Sequence, residues 1–368
     1  MPIVGDVNLG LNLALGGLFG YLGLKLGRLM SRNGATANDI FKGKEWLALV
    51  TIGLYIGLLL IAVNLPQMQT FPLEWRFYGM RMTWILIRSL LCGAMGVAIA
   101  ISWKTARIQL GMIGLVGLIG FAIFTGVESH FLSPIYSELE HNLRPNRVVR
   151  QTSASSCAPS ALATVLQHWG ITSATEPAVA KAADTSRMGT TMPQVIQAAK
   201  AFGMTGIEMK PTWEQMRLVN RPGVLSVWQI AALGRKLPHA VALMAIDDIR
   251  AIVADPATGK YHSYTYDEFQ AIWRQEYVPI FKPEEVVFSG QQALKYLKDL
   301  GYGGSFESAV KKFQEDQDLR VTGILDPQTA LMISGSRRQG VPTLKPKEFE
   351  ASVVKYMQCE GQPDRCQW

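Results

Sequence analysis

One cysteine, Cys157, stands where a nucleophile would be useful. It opens the stretch CAPSALATVLQHWG, whose apolar residues recur at helical spacing, and Gln151 lies six positions before it. The unpaired N–H groups and the dipole at a helix N-terminus lower the pKa of a thiol. A thiolate there can attack a carbonyl carbon, and the side-chain amide of Gln151 can donate to the resulting oxyanion.

Such a thiolate needs a base, and His239 is the best placed of the five histidines. It begins one apolar strand, and Asp255 ends the next strand after a turn at Asp247–Asp248. In an antiparallel hairpin these two ends are adjacent, so Asp255 can hold the imidazole. By contrast, His262 lies past the next turn, where we expect no carboxylate so placed.

These four residues carry a family resemblance. The order glutamine, five residues, cysteine, then a strand histidine, then DP and a nearby glycine resembles the bacteriocin-processing (double-glycine) cysteine peptidase family over 151–281. The resemblance implies a papain-like α+β fold. It also implies that Cys157 is the nucleophile, His239 the general base and acid, Asp255 its orienter and Gln151 the oxyanion donor.

The sequence departs from that family at two positions beside the nucleophile. The family usually has an aspartate before the cysteine and a glycine after it, whereas this chain has Ser156 and Ala158. An alanine after the cysteine narrows the site. Transporters of this family also carry an ATPase, and no Walker A motif is present here, so the substrate does not follow from the resemblance.

A small helical module follows. Its marks are LGY, AVKKFQ and TGILDPQTA, which resemble the peptidoglycan-binding domain family. We predict helices at Gln291–Leu300, Ser305–Gln317 and Pro327–Ile333. The order of the two domains also resembles the periplasmic module of the type II secretion pore-inserting ATPase, in which the peptidase fold often serves as a scaffold.

The first third of the chain is apolar. A membrane-spanning helix needs about 20 mostly apolar residues. Four segments are interpreted as spans, although the first is shorter and rich in glycine: Leu9–Leu24, Trp46–Leu65, Trp84–Trp103 and Ile108–Val127. Gly16 with Gly20, and the glycines at 111, 114, 117 and 120, indicate close helix packing, either within the bundle or against a partner.

Basic residues predict the orientation of these segments. The loop between the first and second spans, called loop one, contains Lys25, Arg28, Arg32, Lys42 and Lys44. The turn between the third and fourth spans, called loop three, contains Lys104 and Arg107. Positively charged loops stay in the cytoplasm. We therefore expect a multi-pass protein of the bacterial inner membrane, with everything after Val127 extracytoplasmic, in the periplasm.

Composition excludes several classes of function. The net charge of +7 suits membrane topology and anionic lipid, and no basic run with interleaved aromatics indicates nucleic-acid binding. No metal-ligand cluster or nucleotide loop implies a cofactor. Of the four cysteines, Cys92 reads as an inert core residue, and Cys359 with Cys366 reads as a disulfide if that end is outside the cytoplasm.

The expected fold class is therefore a four-span helical bundle, an α+β papain-like domain and a three-helix domain. The predicted boundaries are 1–127 for the membrane region, 128–149 for a linker, 150–283 for the peptidase-like domain, 284–335 for the peptidoglycan-binding domain and 336–368 for the tail. The leading hypothesis is a wall-facing cysteine peptidase that cleaves a peptide or amide bond, in an exported protein or a wall peptide, through a thioester. The alternative is a non-catalytic scaffold that binds peptidoglycan and a secretion or assembly partner.

The topology makes the first prediction. Because loops one and three are basic, alkaline phosphatase fused after the last residue should be active in cells, and a fluorescent protein that matures only in the cytoplasm should stay dark at the same junction. A fusion after Lys44 should give the opposite pair of results. A dark phosphatase and a bright fluorescent C-terminus would overturn the predicted compartment.

Overall fold

The chain divides into two compact units, Met1–Ser133 and Pro134–Trp368. The computed structural model describes residues 3–64, 76, 79–105, 107–230 and 234–345. The predicted disulfide between Cys359 and Cys366 lies outside the described residues. Each unit is built around its own packing, and the candidate site belongs to the second.

Long helices form the first unit: α1 (Ile3–Arg32), α2 (Glu45–Asn64), α3 (Gly79–Thr105) and α4 (Arg107–Phe131). Among the described residues, three stretches are long and apolar enough to cross a membrane: Glu45–Ala62, Arg81–Trp103 and Leu110–Phe131. The first predicted span forms the helix α1 but is not among these three. Four spans are therefore not confirmed.

Glycines bring α1 and α3 into close contact. A Cβ added at Gly23 would lie 2.0 Å from the carbonyl oxygen of Gly93, and one added at Gly27 would lie 2.6 Å from that of Val97. Only glycine permits backbones to approach so closely. On α4, Gly117 lies against the Met95 side chain, whereas Gly111, Gly114 and Gly120 face open space. Part of the predicted glycine pattern thus serves packing within the bundle.

A polar contact joins three of these helices. Arg88 on α3 donates a hydrogen bond to Asn12 Oδ1 at 2.9 Å and forms an ion pair with Glu128 on α4. Both charged side chains are largely buried within the unit. Because an ionised group among apolar helices needs a partner, this contact pairs two charges that the surrounding apolar side chains would otherwise leave uncompensated.

The second unit is α+β. Its sheet contains six antiparallel strands in the order β1-β6-β2-β3-β4-β5. The strands are β1 (Thr205–Gly206), β2 (Gly223–Ile230), β3 (Lys236–Ile246), β4 (Arg250–Asp255), β5 (Lys260–Thr265) and β6 (Trp273–Phe281). The helices that pack around this sheet are α5 (Cys157–His168), α6 (Glu176–Ala182), α7 (Met192–Ala201), α8 (Trp213–Val219) and α9 (Tyr266–Ile272).

The elements that position the site follow the sequence pattern. The helix α5 begins at Cys157, and its apolar residues Leu162 and Leu166 are fully buried. β3 and β4 form the predicted hairpin, with Ala242 opposite Ala254. That register brings the start of β3 beside the end of β4.

The segment that precedes α5 packs onto the second unit. Helix α4 continues to Phe131, beyond the predicted start of the linker. Ile135 and Leu139 are then buried against Ala180, and the side chain of Asn146 donates to the Gly259 carbonyl at 3.0 Å. The apolar side chains hold this segment against α6, because burial removes them from water, and the Asn146 amide joins it to the turn between β4 and β5.

Three helices form the C-terminal module: α10 (Gly290–Asp299), α11 (Phe306–Asp316) and α12 (Pro327–Ser334). They lie within one or two residues of the predicted bounds. Their buried residues Phe313 and Ile333 share one apolar cluster with Trp213 and Met216 of α8. The two predicted domains therefore share a hydrophobic core.

A buried ion pair lies at this junction. Arg221 is fully buried, and its Nε donates to Glu285 Oε2 at 2.7 Å. Its Nη1 donates to the carbonyl oxygens of Asn220 and Gly335 at 2.7 and 2.8 Å. The guanidinium thus joins the residues after α8, the segment before α10 and the end of α12.

This ion pair makes a stability prediction for the second unit expressed from Pro134. Glu285→Ala leaves the buried Arg221 uncompensated and should lower the free energy of unfolding by about 3–5 kcal/mol, measured by chemical denaturation. Glu307→Ala removes the exposed ion pair with Lys311 and serves as the control with little effect. Equal unfolding midpoints for the two variants would show that the buried pair does not join the modules.

Candidate active site

Cys157 is half-buried at the first position of α5. The preceding residue, Ser156, does not cap the helix, because its hydroxyl donates to the Ser153 carbonyl at 2.9 Å and accepts from the Ser153 N–H at 3.1 Å. Pro159, at the third helical position, has no N–H. The N–H groups of Cys157 and Ala158 therefore remain in the first turn, where a helix has no internal acceptor for them.

His239 and Asp255 meet as the hairpin register requires. His239 Nε2 lies 2.7 Å from Asp255 Oδ1, and both side chains are largely buried. Asp255 Oδ1 also accepts the Ala257 N–H at 2.9 Å. With Nε2 engaged by the carboxylate, Nδ1 is the ring nitrogen left for the thiol, and His239 forms a hydrogen bond with Cys157.

The charges of the three groups reinforce one another. Burial raises the pKa of the Cys157 thiol, but the hydrogen bond and charge of His239, together with the backbone groups of Ala240 and Ala158, outweigh burial and hold that pKa below its usual value. Burial lowers the pKa of His239, yet Asp255 and Cys157 together raise it to about 9. Burial also raises the pKa of Asp255, but His239, the Ala257 N–H and His262 together lower it by more. The arrangement favours a thiolate–imidazolium pair over a neutral thiol and imidazole.

Two backbone groups also stabilise the thiolate. The N–H of Ala240, next to His239 on β3, and the N–H of Ala158 both donate to the Cys157 sulfur and lower the pKa of the thiol. Ala158 occupies the position where the resembling family usually has glycine. Its backbone N–H still reaches the sulfur, so the methyl group does not remove this donor.

Gln151 reaches the site through its backbone. Its N–H donates to the carbonyl of Pro256, the residue after Asp255, at 2.9 Å. Its side-chain Nε2 donates one hydrogen to the Ser153 carbonyl at 2.9 Å. An amide nitrogen carries two hydrogens, so a second donor remains for a ligand. The structure therefore places Gln151 beside Asp255 but does not join its side chain to Cys157 by a hydrogen bond.

Sequence reasoning missed two residues around Asp255. Thr258 Oγ1 lies 3.1 Å from both Asp255 Oδ2 and His262 Nε2, and His262 Nε2 lies 3.8 Å from Asp255 Oδ2. The expectation that no carboxylate lies near His262 is wrong, because Tyr261 and Lys260 pair back onto the end of β4 and bring β5 beside Asp255. Each carboxylate oxygen of Asp255 thus lies near one histidine: Oδ1 near His239 and Oδ2 near His262.

Two family models match adjacent parts of the second unit. The Peptidase C39 family model matches residues 146–285, and the model of a putative peptidoglycan binding domain matches residues 287–333. An uncharacterised protein of Methanothermobacter marburgensis is 33% identical over 113 residues, which are 31% of this chain and 73% of that protein. The chain belongs to the Peptidase C39 family, with a peptidoglycan-binding domain following the peptidase domain.

Solved structures resemble the same region. The peptidase domain of Streptococcus ComA, a bi-functional ABC transporter involved in a quorum sensing pathway, is 23% identical, with a TM-score of 0.32, over 36% of this chain and 96% of that one. A periplasmic domain of the EpsAB fusion protein of the Vibrio vulnificus type II secretion system is 14% identical, with a TM-score of 0.29, over 52% of this chain and 84% of that one.

The electrostatic coupling makes a pH prediction. Asp255→Asn removes the negative charge that raises the pKa of His239, so His239 loses its proton at lower pH and the thiolate loses its cation. The pKa of Cys157 should then rise toward the ordinary thiol value of about 8.5. The pH midpoint for alkylation of Cys157 by iodoacetamide, followed by mass spectrometry, should move upward accordingly.

His262→Gln is the matched control, because it removes the other histidine near Asp255 and keeps the carboxylate. Its alkylation midpoint should stay near that of the parent protein. If Asp255→Asn leaves the midpoint where it was, Asp255 does not control the charge of the pair.

Proposed function

We propose that this protein is a membrane-anchored cysteine peptidase that faces the cell wall. The observation that carries the proposal is the contact of a half-buried Cys157 with His239, which Asp255 holds at 2.7 Å. A structural cysteine needs neither a histidine partner nor two backbone N–H donors. The match to the Peptidase C39 family supports the same reaction class.

The geometry supports acyl transfer through a thioester. The Cys157 thiolate attacks the carbonyl carbon of the scissile amide, and the carbonyl oxygen becomes an oxyanion. The N–H of Cys157 and the second hydrogen of Gln151 Nε2 are the donors that we assign to it. The His239 imidazolium then protonates the leaving amine as the C–N bond breaks. Neutral His239 next removes a proton from water, which attacks the thioester and releases the acid and the thiol.

The anchor and the wall complete the proposal. We assign α1 as a fourth span, because its glycines pack against α3, the helix that contains Arg81–Trp103. The orientation expected from the basic loops puts the second unit in the periplasm of the cell envelope. The peptidoglycan-binding domain shares a core with the peptidase domain, so wall contact would hold the nucleophile near wall peptides and exported proteins.

One observation favours the alternative, a non-catalytic envelope scaffold. Gln151 Nε2 already donates to Ser153, and Ser156 replaces an aspartate, so the oxyanion donor is not preset for a substrate. In that case the apolar core shared by the peptidase-like and peptidoglycan-binding domains would hold the two domains together, so that the chain links the membrane to the wall. The two functions differ in one measurable property, which is cleavage that depends on Cys157.

Peptide cleavage tests the proposed reaction. The full chain in detergent, incubated with a library of natural peptides, should produce new N-termini that mass spectrometry detects. Cys157→Ala should abolish them, and Gln151→Ala should reduce turnover by roughly 10²–10³, the usual value of one oxyanion donor. Cys92→Ala removes the other free cysteine of the described residues and should leave cleavage unchanged. Identical product lists for parent and Cys157→Ala would support the scaffold.

Wall binding is tested separately from catalysis. The full chain, with Cys157→Ala to prevent cleavage, should sediment with purified peptidoglycan and stay in the supernatant with chitin, which lacks peptide stems. The full chain is required, because Phe313 and Ile333 complete a core that includes α8. Equal sedimentation with both polymers would mean that the module does not recognise peptidoglycan.

A further inference from the structure

A cavity opens between α1 and α3 at their C-terminal ends. The two helices run in the same direction, since Gly23 faces Gly93 and Gly27 faces Val97. From the level of Leu24 toward their C-terminal ends the helices line an open cavity of about 320 Å³, whose lining residues are Leu24, Arg28, Ser31, Arg32, Ile99, Ala100 and Trp103. The cavity therefore lies beside the close glycine contacts of the two helices.

The lining changes character along the helix axis. Leu24, Ile99 and Ala100 make the walls apolar nearer the middle of the bundle, and Arg28, Ser31 and Arg32 line the end. Trp103 lies at the same level as these basic residues, largely exposed at the end of the candidate span Arg81–Trp103. Tryptophan prefers the boundary between hydrocarbon and headgroups. The apolar and basic parts of the cavity thus follow the order of acyl chain and headgroup in a lipid.

Two arginines of the cavity, Arg28 and Arg32, have no acidic partner among the residues that the structure describes. Arg28 and Arg32 are four positions apart on one face of α1, and no carboxylate forms an ion pair with either within the described part of the chain. Like charges at this spacing repel each other. The carbonyl groups at the end of α1 carry the negative end of the helix dipole and offset part of this positive charge, but a partial charge does not neutralise two guanidinium groups. An anion between the guanidinium groups would remove this repulsion.

We propose that this cavity binds an anionic phospholipid. The guanidinium groups of Arg28 and Arg32 and the Ser31 hydroxyl hold the headgroup phosphate, and one acyl chain lies along Leu24 and Ile99. Guanidinium groups suit phosphate because their N–H donors match its oxygens in pairs. Basic pockets between membrane helices on the cytoplasmic side recognise anionic headgroups. The basic loop one, which contains these residues, is the one expected in the cytoplasm.

Fluorescence quenching at Trp103 tests the proposal in the full chain. The protein is placed in mixed micelles that contain brominated phosphatidylglycerol or brominated phosphatidylcholine. Subtracting the signal of Trp103→Phe isolates quenching at the cavity. We expect half-maximal quenching at a mole fraction of phosphatidylglycerol roughly tenfold or more below that of phosphatidylcholine, since each basic residue near a membrane surface strengthens anionic binding several-fold.

Three variants locate the effect. Arg28→Gln with Arg32→Gln should remove the preference, and Arg28→Lys with Arg32→Lys should retain part of it, because the charge remains. Lys42→Gln with Lys44→Gln removes the same charge from loop one outside the cavity and should keep the full preference. If Lys42→Gln with Lys44→Gln loses the preference as the double substitution of Arg28 and Arg32 by glutamine does, the cavity is not the binding site. The same holds if the double substitution of Arg28 and Arg32 by glutamine keeps the preference.

A last arm distinguishes lipid from free phosphate. Inorganic phosphate added at millimolar concentration should leave the phosphatidylglycerol quenching in place, because it lacks the acyl chain that Leu24 and Ile99 contact. Phosphate and chloride are compared at equal ionic strength. If phosphate abolishes the quenching and chloride does not, the cavity binds free phosphate, and the proposal is overturned. None of these outcomes depends on peptidase activity.

Discussion

The hydrogen bond between His239 and Asp255 is the constraint on which the site depends. It joins the first part of β3 to the last residue of β4, so the pairing of the two strands sets its 2.7 Å distance. The same bond leaves one ring nitrogen for Cys157 and supplies the negative charge that keeps the imidazole protonated. Helix α5 packs on the sheet with its N-terminus beside His239. The sulfur of Cys157 therefore lies at the start of a helix, next to the β3–β4 hairpin and close to the charge of His239.

The core shared by the two C-terminal modules is a second constraint. Trp213 and Met216 pack with Phe313 and Ile333, and Arg221 joins Glu285 and Gly335 beneath them. Because a buried ion pair adds little stability over apolar packing but costs much when broken, it favours one relative arrangement of the modules. Any surface of the peptidoglycan-binding domain that holds a wall polymer therefore keeps a fixed orientation toward Cys157.

Much of the site could be predicted from the sequence, because side-chain types indicate the chemistry and apolar periodicity indicates the helix and strands on which the residues lie. Cys157 at a helix start, and His239 and Asp255 at the ends of paired strands, follow from local patterns. The Ala240 N–H could not be predicted, since a backbone donor has no signature in sequence. The contact of Thr258 and His262 with Asp255 depends on the β4–β5 turn, and the partners of Arg221 depend on how distant segments pack. The second predicted span agrees with α2 within one residue, but α1 extends well beyond both ends of Leu9–Leu24. Whether α1 spans depends on surroundings that hydropathy alone does not describe.

We propose that Cys157 forms a thiolate, paired with protonated His239, well below the ordinary pKa of a thiol. Thiolates absorb in the far ultraviolet where thiols do not, so the difference in absorbance between the parent protein and Cys157→Ser counts this one group. If Cys157 and His239 form this pair, a thiolate signal should appear below the ordinary thiol pKa of about 8.5, and His239→Gln should lose it at the same pH. A difference signal that appears only above the ordinary thiol pKa, and that is unchanged by His239→Gln, would contradict the pairing.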